Sequence, residues 1–316
     1  MVLQAAASDI QIEFVDGVNG QDVPDRAIPR TSKHDRLANA TIETDVVGLA
    51  PYRIVYRNLT SALILEDDVD WDVRIRDQLA DFALSSNALL QPLSYSRAVY
   101  ADPTFPVPPA DGPDSIPDTS FENLPSTKPP VVSPYGDDWD VLWVGHCGMQ
   151  VPMTKDTGIA NGRIVRLNDM TTAARKYLWN FPSPFILKDN YPEHTRMVHH
   201  VQEGVCSLGY ALSQRGARKL LFEVGLKDFT DPYDLLLRYF CEGTKGRKKG
   251  ICLTTQPSLI THFRPAGPKS AMSDIGDHGD EFIEKNMSDM IRLSVRLNTD
   301  RILDGDTELW DQCPDE

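Results

Sequence analysis

Basic residues are scarce in this chain, and that scarcity narrows its partners. Lys and Arg number 32 against 46 Asp and Glu over 316 residues, giving a formal charge of −14. Nucleic-acid affinity rests on neutralising phosphates with Lys and Arg, so nucleic acid is not an expected partner. A phosphate-bearing ligand would need a metal or local basic groups. The one basic run, Lys245 to Lys249, contains a Gly, follows a helix-like segment and reads as a solvated turn. Long apolar runs are also missing: none approaches the roughly 20 residues of a membrane-spanning helix, so no membrane segment is expected. Met1 to Ser8 lacks the basic stretch and apolar core of a signal peptide, so no targeting segment is expected there. Cysteine is sparse and widely spaced, at Cys147, Cys206, Cys241, Cys252 and Cys313, with no CxxC. That pattern indicates neither a zinc site nor a dense disulfide framework. One or two bridges can form in an oxidising compartment, leaving at least one thiol over. There, sequons at Asn39, Asn58 and Asn286 would permit glycosylation.

What is present is the composition of an ordinary globular protein, 41% hydrophobic and 25% charged, long enough for a sizeable core. Residues 10 to 15, Ile-Gln-Ile-Glu-Phe-Val, alternate with period two before Asp16-Gly17 and predict a strand and turn. The apolar run Ala62 to Leu65 suits a parallel strand covered on both faces. After it, Ile75, Leu79, Phe82 and Ala83 share one face of a predicted helix. Residues 101 to 136, rich in Pro, Ser and Asp, read as a long surface insertion. Asp140 to Val144 predicts another strand, running into Gly145-His146-Cys147-Gly148.

The clearest helix is residues 214 to 224. Ser213 supplies its N-cap, Ala217, Leu220, Leu221 and Val224 its apolar stripe, and Gly225 its stop. A second helix follows with Asp231 as cap, Pro232 in the first turn, and Tyr233, Leu236, Leu237 and Phe240 along one face. A strand at Ile251 to Thr255 and an amphipathic stretch near residues 280 to 297 complete the reading. Strands interleaved with helices predict one α/β domain over residues 1–316, a mixed central sheet flanked by helices with its ligand at the carboxyl ends of strands.

Chemistry concentrates at the end of the Ala62 to Leu65 strand. Glu66, Asp67, Asp68, Asp70 and Asp72 put five carboxylates into seven positions. Such density repels itself unless a cation lies among it, and hard divalent ions select carboxylate oxygens. An EF-hand starting at Asp68 fails, because it needs Gly at position six and Glu at position twelve where this chain has Val73 and Leu79. An aspartyl-phosphate phosphatase pattern matches poorly, since Asp72 or Arg74 falls at its fifth position. Asp68-Val69-Asp70, preceded by Glu66-Asp67, fits the D-x-D element by which GT-A nucleotide-sugar transferases hold a metal on the donor diphosphate. A solvated loop with one acid capping the next helix is the plainer alternative.

Leu63-Ile64-Leu65-Glu66-Asp67-Asp68-Val69 resembles the core motif of glycosyltransferase family 25, which includes bacterial lipooligosaccharide and procollagen galactosyltransferases. The resemblance continues through Trp139-Asp140-Val141-Leu142-Trp143-Val144-Gly145 and Gly209-Tyr210-Ala211-Leu212-Ser213-Gln214-Arg215-Gly216-Ala217. Asp231-Pro232-Tyr233-Asp234, Gln256-Pro257-Ser258-Leu259 and Ser273-Asp274-Ile275 follow in order. The Gly-His-Cys-Gly turn and the His262 to Lys269 segment are most similar to fungal-type members. The resemblance spans roughly residues 9 to 275. It implies a GT-A fold, which is Rossmann-like, a UDP-sugar donor (often UDP-galactose), a glycan or glycoprotein acceptor, a Mn²⁺-type cofactor and a place in the secretory pathway.

Two departures from the family pattern stand out. The chain begins after where the opening strand and Asn-Leu-x-x-Arg-x-x-Arg-like nucleotide-contacting element would lie. Residues 41 to 57 replace the helix that carries a Ser/Gly-x-x-x-x-His-like pattern. On the resemblance, Asp68 and Asp70 would ligate the metal with His262, Glu66 and Asp67 would orient the donor, and Asp231 or Asp234 would act as general base. His199-His200, His146 and Cys147 read as structural, and Trp71, Trp139 and Trp143 as core. A noncatalytic transferase-like scaffold and a metal-dependent phosphohydrolase are the rival functions.

Overall fold

The computed structural model describes residues 1–17, 44–96, 99–227, 231–268 and 281–316. Its elements in chain order are α1 (Val2–Ala7), α2 (Thr44–Tyr56), β1 (Ser61–Leu65), β2 (Val69–Trp71), α3 (Ile75–Leu90), β3 (Thr119–Ser120), β4 (Val141–Gly145), β5 (Arg163–Arg166), α4 (Ile186–Asn190), β6 (Arg196–His200), β7 (Gly209–Ser213), α5 (Gln214–Leu220), α6 (Tyr233–Glu242), β8 (Cys252–Gln256), β9 (Ile260–Arg264), β10 (Gly267–Pro268), β11 (Phe282–Ile283), β12 (Met287–Ser288) and α7 (Thr299–Asp304). A mixed sheet runs β1-β7-β4-β8-β6-β5-β3, and β9 joins β4, β2 and β12 at one end of it. The chain is therefore α/β, with a large mixed sheet flanked by helices. Among the described residues no helix is long and apolar enough to cross a membrane.

Period-two alternation along β4 builds both layers. Leu142 and Val144 face α3, packing with Ile75, Phe82 and Leu89, while Val141 and Trp143 face α5 and α6, packing with Ala217, Leu220, Leu236 and Phe240. Trp71, Trp139 and Trp143 are all core, as expected. The Ser213 hydroxyl accepts from the Gly216 amide and caps α5. Gly216 lies so close to β4 that a Cβ there would meet the Asp140 carbonyl oxygen at 2.0 Å. Two disulfides form, Cys147–Cys206 and Cys241–Cys252, and Cys313 stays free and buried.

Several elements differ from their sequence reading. Residues 10 to 15 form no strand. α1 ends as Asp9 takes a positive φ of 52° and the Ile10 amide returns to the Ala5 carbonyl, and Glu13 then pairs with Arg53 of α2 and with Arg57 just after it instead of a sheet edge. β1 is antiparallel to β7 and half-buried, because it is the edge strand with a partner on one side only. Gly225 does not stop the helix, which continues from α5 through a π-type turn over Leu221–Leu226. The α6 N-cap is Pro232, one residue on from the expected Asp231. No helix forms over 281–297. The Leu293 amide goes to Asp72, the Ser294 hydroxyl goes to Asp70, and β12 pairs with β9. In the basic run Lys245 is exposed, but Arg247 is buried. The Asn39 sequon and the Ser273-Asp274-Ile275 block lie outside the described residues.

Candidate metal site at the ends of β1 and β4

β1, β4 and β8 run in one direction, and the acidic turn after β1 lies at their shared carboxyl end. The β4–β7 ladder shifts register between Trp143 and Gly145, where Gly145 approaches Gly209 so closely that a Cβ would sit 2.4 Å from the Gly209 nitrogen. Paired with Gly209 on one side, Gly145 also pairs with Ile260, which starts β9. β9 in turn pairs antiparallel with β2 in the register Val69↔His262. That register brings a histidine from the far end of the chain to the acidic turn.

Glu66, Asp68 and His262 form a half-buried group whose ligand atoms all lie within 4.8 Å of one another. His262 Nε2 stands 3.9 Å from Asp68 Oδ2. Its Nδ1 stands 3.9 Å from Cys147 Sγ, a disulfide sulfur with no proton of its own. An Nδ1–H directed at that sulfur leaves the Nε2 lone pair toward the acids, the tautomer a metal ligand requires. Glu66 is held from the 206–208 loop: its amide donates to the Leu208 carbonyl at 3.1 Å, and the Ser207 hydroxyl donates to Oε1 at 2.7 Å. Asp68 Oδ1 is buried with no hydrogen-bond partner. Burial and then the neighbouring Asp67 charge push the Asp68 carboxyl above its ordinary range, against the opposing Arg296 and Arg264.

The other acids of the run are divided by their partners. Asp67 is exposed, and its carbonyl accepts from Arg296 Nη2 at 2.7 Å. Asp70, expected as a ligand, is fully buried outside the three-residue group. Its carboxylate accepts from Gln4 Nε2, the Trp71 and Arg296 amides, and the Ser288 and Ser294 hydroxyls. With both oxygens spent on those donors it is an anchor for the carboxyl-terminal segment. Asp72 takes Arg74 bidentately and the Arg74 and Leu293 amides, fixing the turn into α3.

Of the two carboxylates expected as base, Asp234 accepts from the Cys206 and Leu235 amides at 2.9 and 2.8 Å, tying α6 to the loop that holds Glu66. Asp231 lies just outside α6. His146, His199 and His200 are buried in or beside the sheet. His199 bonds the His200 carbonyl and Gln256, and His146 bonds the Thr255 carbonyl.

Three features of the site escape sequence reasoning. Arg264 and Arg296 flank the acidic turn, and Arg296 stacks on Phe263 with its guanidinium carbon 4.8 Å from the ring centroid. The Cys147–Cys206 bridge touches His262 and borders the Ser207 contact to Glu66. No spacing rule links any of these to residues 66–68. No protein-family model, curated protein or solved structure matches this chain.

The donor set can be tested against a cation. Ligand bonds of about 2.1 Å leave ligand atoms about 3–4 Å apart around one ion, so the three, now within 4.8 Å of one another, would have to draw in by roughly 1 Å. Two carboxylates with one imidazole suit a borderline first-row ion such as Mn²⁺ better than Mg²⁺ or Ca²⁺, which prefer oxygen alone. The residues present therefore fit a divalent ion.

Proposed function

We propose that this chain is a metal-dependent glycosyltransferase of GT-A type, similar to family 25, that moves a hexose, galactose in the simplest case, from a UDP-sugar to a hydroxyl of a glycan or glycoprotein. The observation that carries the reading is the buried, unpartnered Asp68 Oδ1 among Glu66 and His262 at the carboxyl end of β1. Glu66, Asp68 and His262 would hold the divalent ion, which when bound supplies positive charge beside the donor diphosphate. Arg264 and Arg296 are the local basic groups that a diphosphate requires in so acidic a chain. Asp67, exposed beside them, would orient the donor. Asp231 would act as general base, while both Asp234 oxygens accept backbone amides. Asp234 is then a positioning residue for the Glu66 loop.

The engagement of Asp70 argues against the phosphohydrolase alternative, which needs a second free aspartate after the strand. Isothermal titration with UDP in the presence and absence of Mn²⁺ tests the proposal. Metal-dependent UDP binding that is lost in Asp68→Ala is expected. A chain that binds no UDP with Mn²⁺ is not a transferase of this kind, and the scaffold reading replaces it.

A further inference from the structure

A cleft lies not at Glu66, Asp68 and His262 but next to them. It has a volume of about 280 Å³, and Tyr177, Trp179, Met290, Trp310, Asp289 and Lys285 are among the residues that line it. Its floor is continuous with the candidate metal site through backbone bonds. β12 pairs with β9 in the register Met287↔Arg264 and Ser288↔Phe263, and the Asp289 amide donates to the His262 carbonyl at 3.2 Å. Asp289 is buried and accepts from Arg264 Nε at 2.9 Å through Oδ2.

The lining specifies a chemistry. Trp310 is 46% exposed although it is a large aromatic, and Trp179 and Tyr177 line the cleft with it, beside Met287 and Met290. Asp289 and Lys285, also in the lining, add a carboxylate acceptor and an ammonium donor. Aromatic faces with polar groups at their margin match a pyranose, whose axial C–H groups make one apolar face and whose hydroxyls ring it. Size agrees, since pockets for drug-sized ligands start at about 300 Å³ and a nucleoside diphosphate would need more room than one sugar ring. Cys313, also in the lining, is an inert thiol, pushed up to about 12 chiefly by burial and then by Asp311.

We infer that this cleft binds a single hexopyranose unit stacked against Trp310. Its assignment as the acceptor's subsite rests on the transferase reading, whereas sugar binding there does not. Saturation-transfer NMR with methyl β-galactopyranoside and methyl β-glucopyranoside, without metal or nucleotide, is the test. At least one glycoside is expected to receive saturation on its C–H face, Trp310→Ala to weaken binding about fivefold or more, Trp310→Phe to restore most of it, and Asp68→Ala to leave it unchanged. The phenylalanine variant guards against a folding defect, which circular dichroism of each variant also reports. No saturation of either glycoside, unchanged binding in Trp310→Ala, or loss of binding in Asp68→Ala overturns the inference. The two readings fail separately: sugar binding without Mn²⁺-dependent UDP binding removes the transferase and keeps the cleft, and the reverse removes only the cleft.

Discussion

Opening the Cys147–Cys206 bridge is expected to damage the metal site far more than opening Cys241–Cys252, although the two cost similar stability. The bridges close segments with sequence separations of 59 and 11 residues. In the chain-entropy relation these correspond to about 4 and about 3 kcal/mol, so unfolding alone barely separates them. Their positions do. Cys252 pairs with Val141 at the start of β4, the end of the sheet away from the acidic turn. Cys147 follows the register shift at the other end, its sulfur meets His262 Nδ1, and its partner Cys206 precedes the Ser207 that holds Glu66. One bridge thus braces two of the three candidate ligands from behind. Loss of groups that orient metal ligands costs about 10–100-fold in affinity. Mn²⁺ titration of Cys147→Ser/Cys206→Ser should show that loss, while Cys241→Ser/Cys252→Ser keeps wild-type affinity, with urea unfolding confirming that both variants are folded under the titration conditions. Equal effects of the two pairs on Mn²⁺ affinity would refute the reasoning, because a general loosening of the fold would then be the whole cause.

Acid should destabilise the fold through its buried histidines. Burial lowers His146 to about 4 and His199 to about 3, so both stay neutral when folded while the unfolded chain protonates near pH 6.5. Stability is full above 6.5 and falls as pH drops, approaching about 2.7 kcal/mol per pH unit for two protons. Urea midpoints that do not change between pH 7.5 and 5 would contradict this. Asp169 acts only at lower pH: burial raises its carboxyl, but Arg196 and Thr171 outweigh that and hold it well below the ordinary range, so its contribution is lost below about pH 4. Asp70→Ala should cost about 3 kcal/mol or more by orphaning buried donors, whereas Asp68→Ala should stay within about 0.5 kcal/mol while losing metal. A reversed order in urea unfolding would exchange the roles assigned to the two aspartates. Gly216→Ala should cost about 1–3 kcal/mol as its Cβ forces α5 off the Asp140 carbonyl, and a wild-type melting temperature would show that the helix shifts freely.

How much of this was legible beforehand depended on sequence distance. The Ser213 cap, the α3 and α6 stripes and the β4 strand were readable because their determinants lie within a few residues of one another. Residues 10 to 15 misled because alternation reports a capacity to pair, and α2 and the residue just after it supplied arginines to Glu13 where no sheet edge was in reach. At the site, the sequence nominated Asp68, Asp70 and His262 as metal ligands and Glu66 as a donor contact, so Glu66 and Asp70 could not be told apart. The Asp70 donors Gln4, Ser288 and Ser294 lie 66, 218 and 224 residues away. Arg264 and Arg296 were invisible for the same reason.

The density of acids after β1 called for positive charge or its equivalent, and the fold provides it unevenly. Asp72 is neutralised by Arg74, and Asp70 is surrounded by five uncharged donor groups. The Arg296 guanidinium bonds the Asp67 carbonyl and the Gln4 side chain. Arg264 spends its Nε on Asp289. The run thus divides into an inner half that holds the chain together and an outer half, Glu66 and Asp68, that faces the His262 imidazole beside the Cys147–Cys206 disulfide. A single buried oxygen, Asp68 Oδ1, has no hydrogen-bond partner. On the proposed reading a cation supplied there would relieve burial and like-charge repulsion at one atom, while Asp70 and Asp72 stay committed to their own donors.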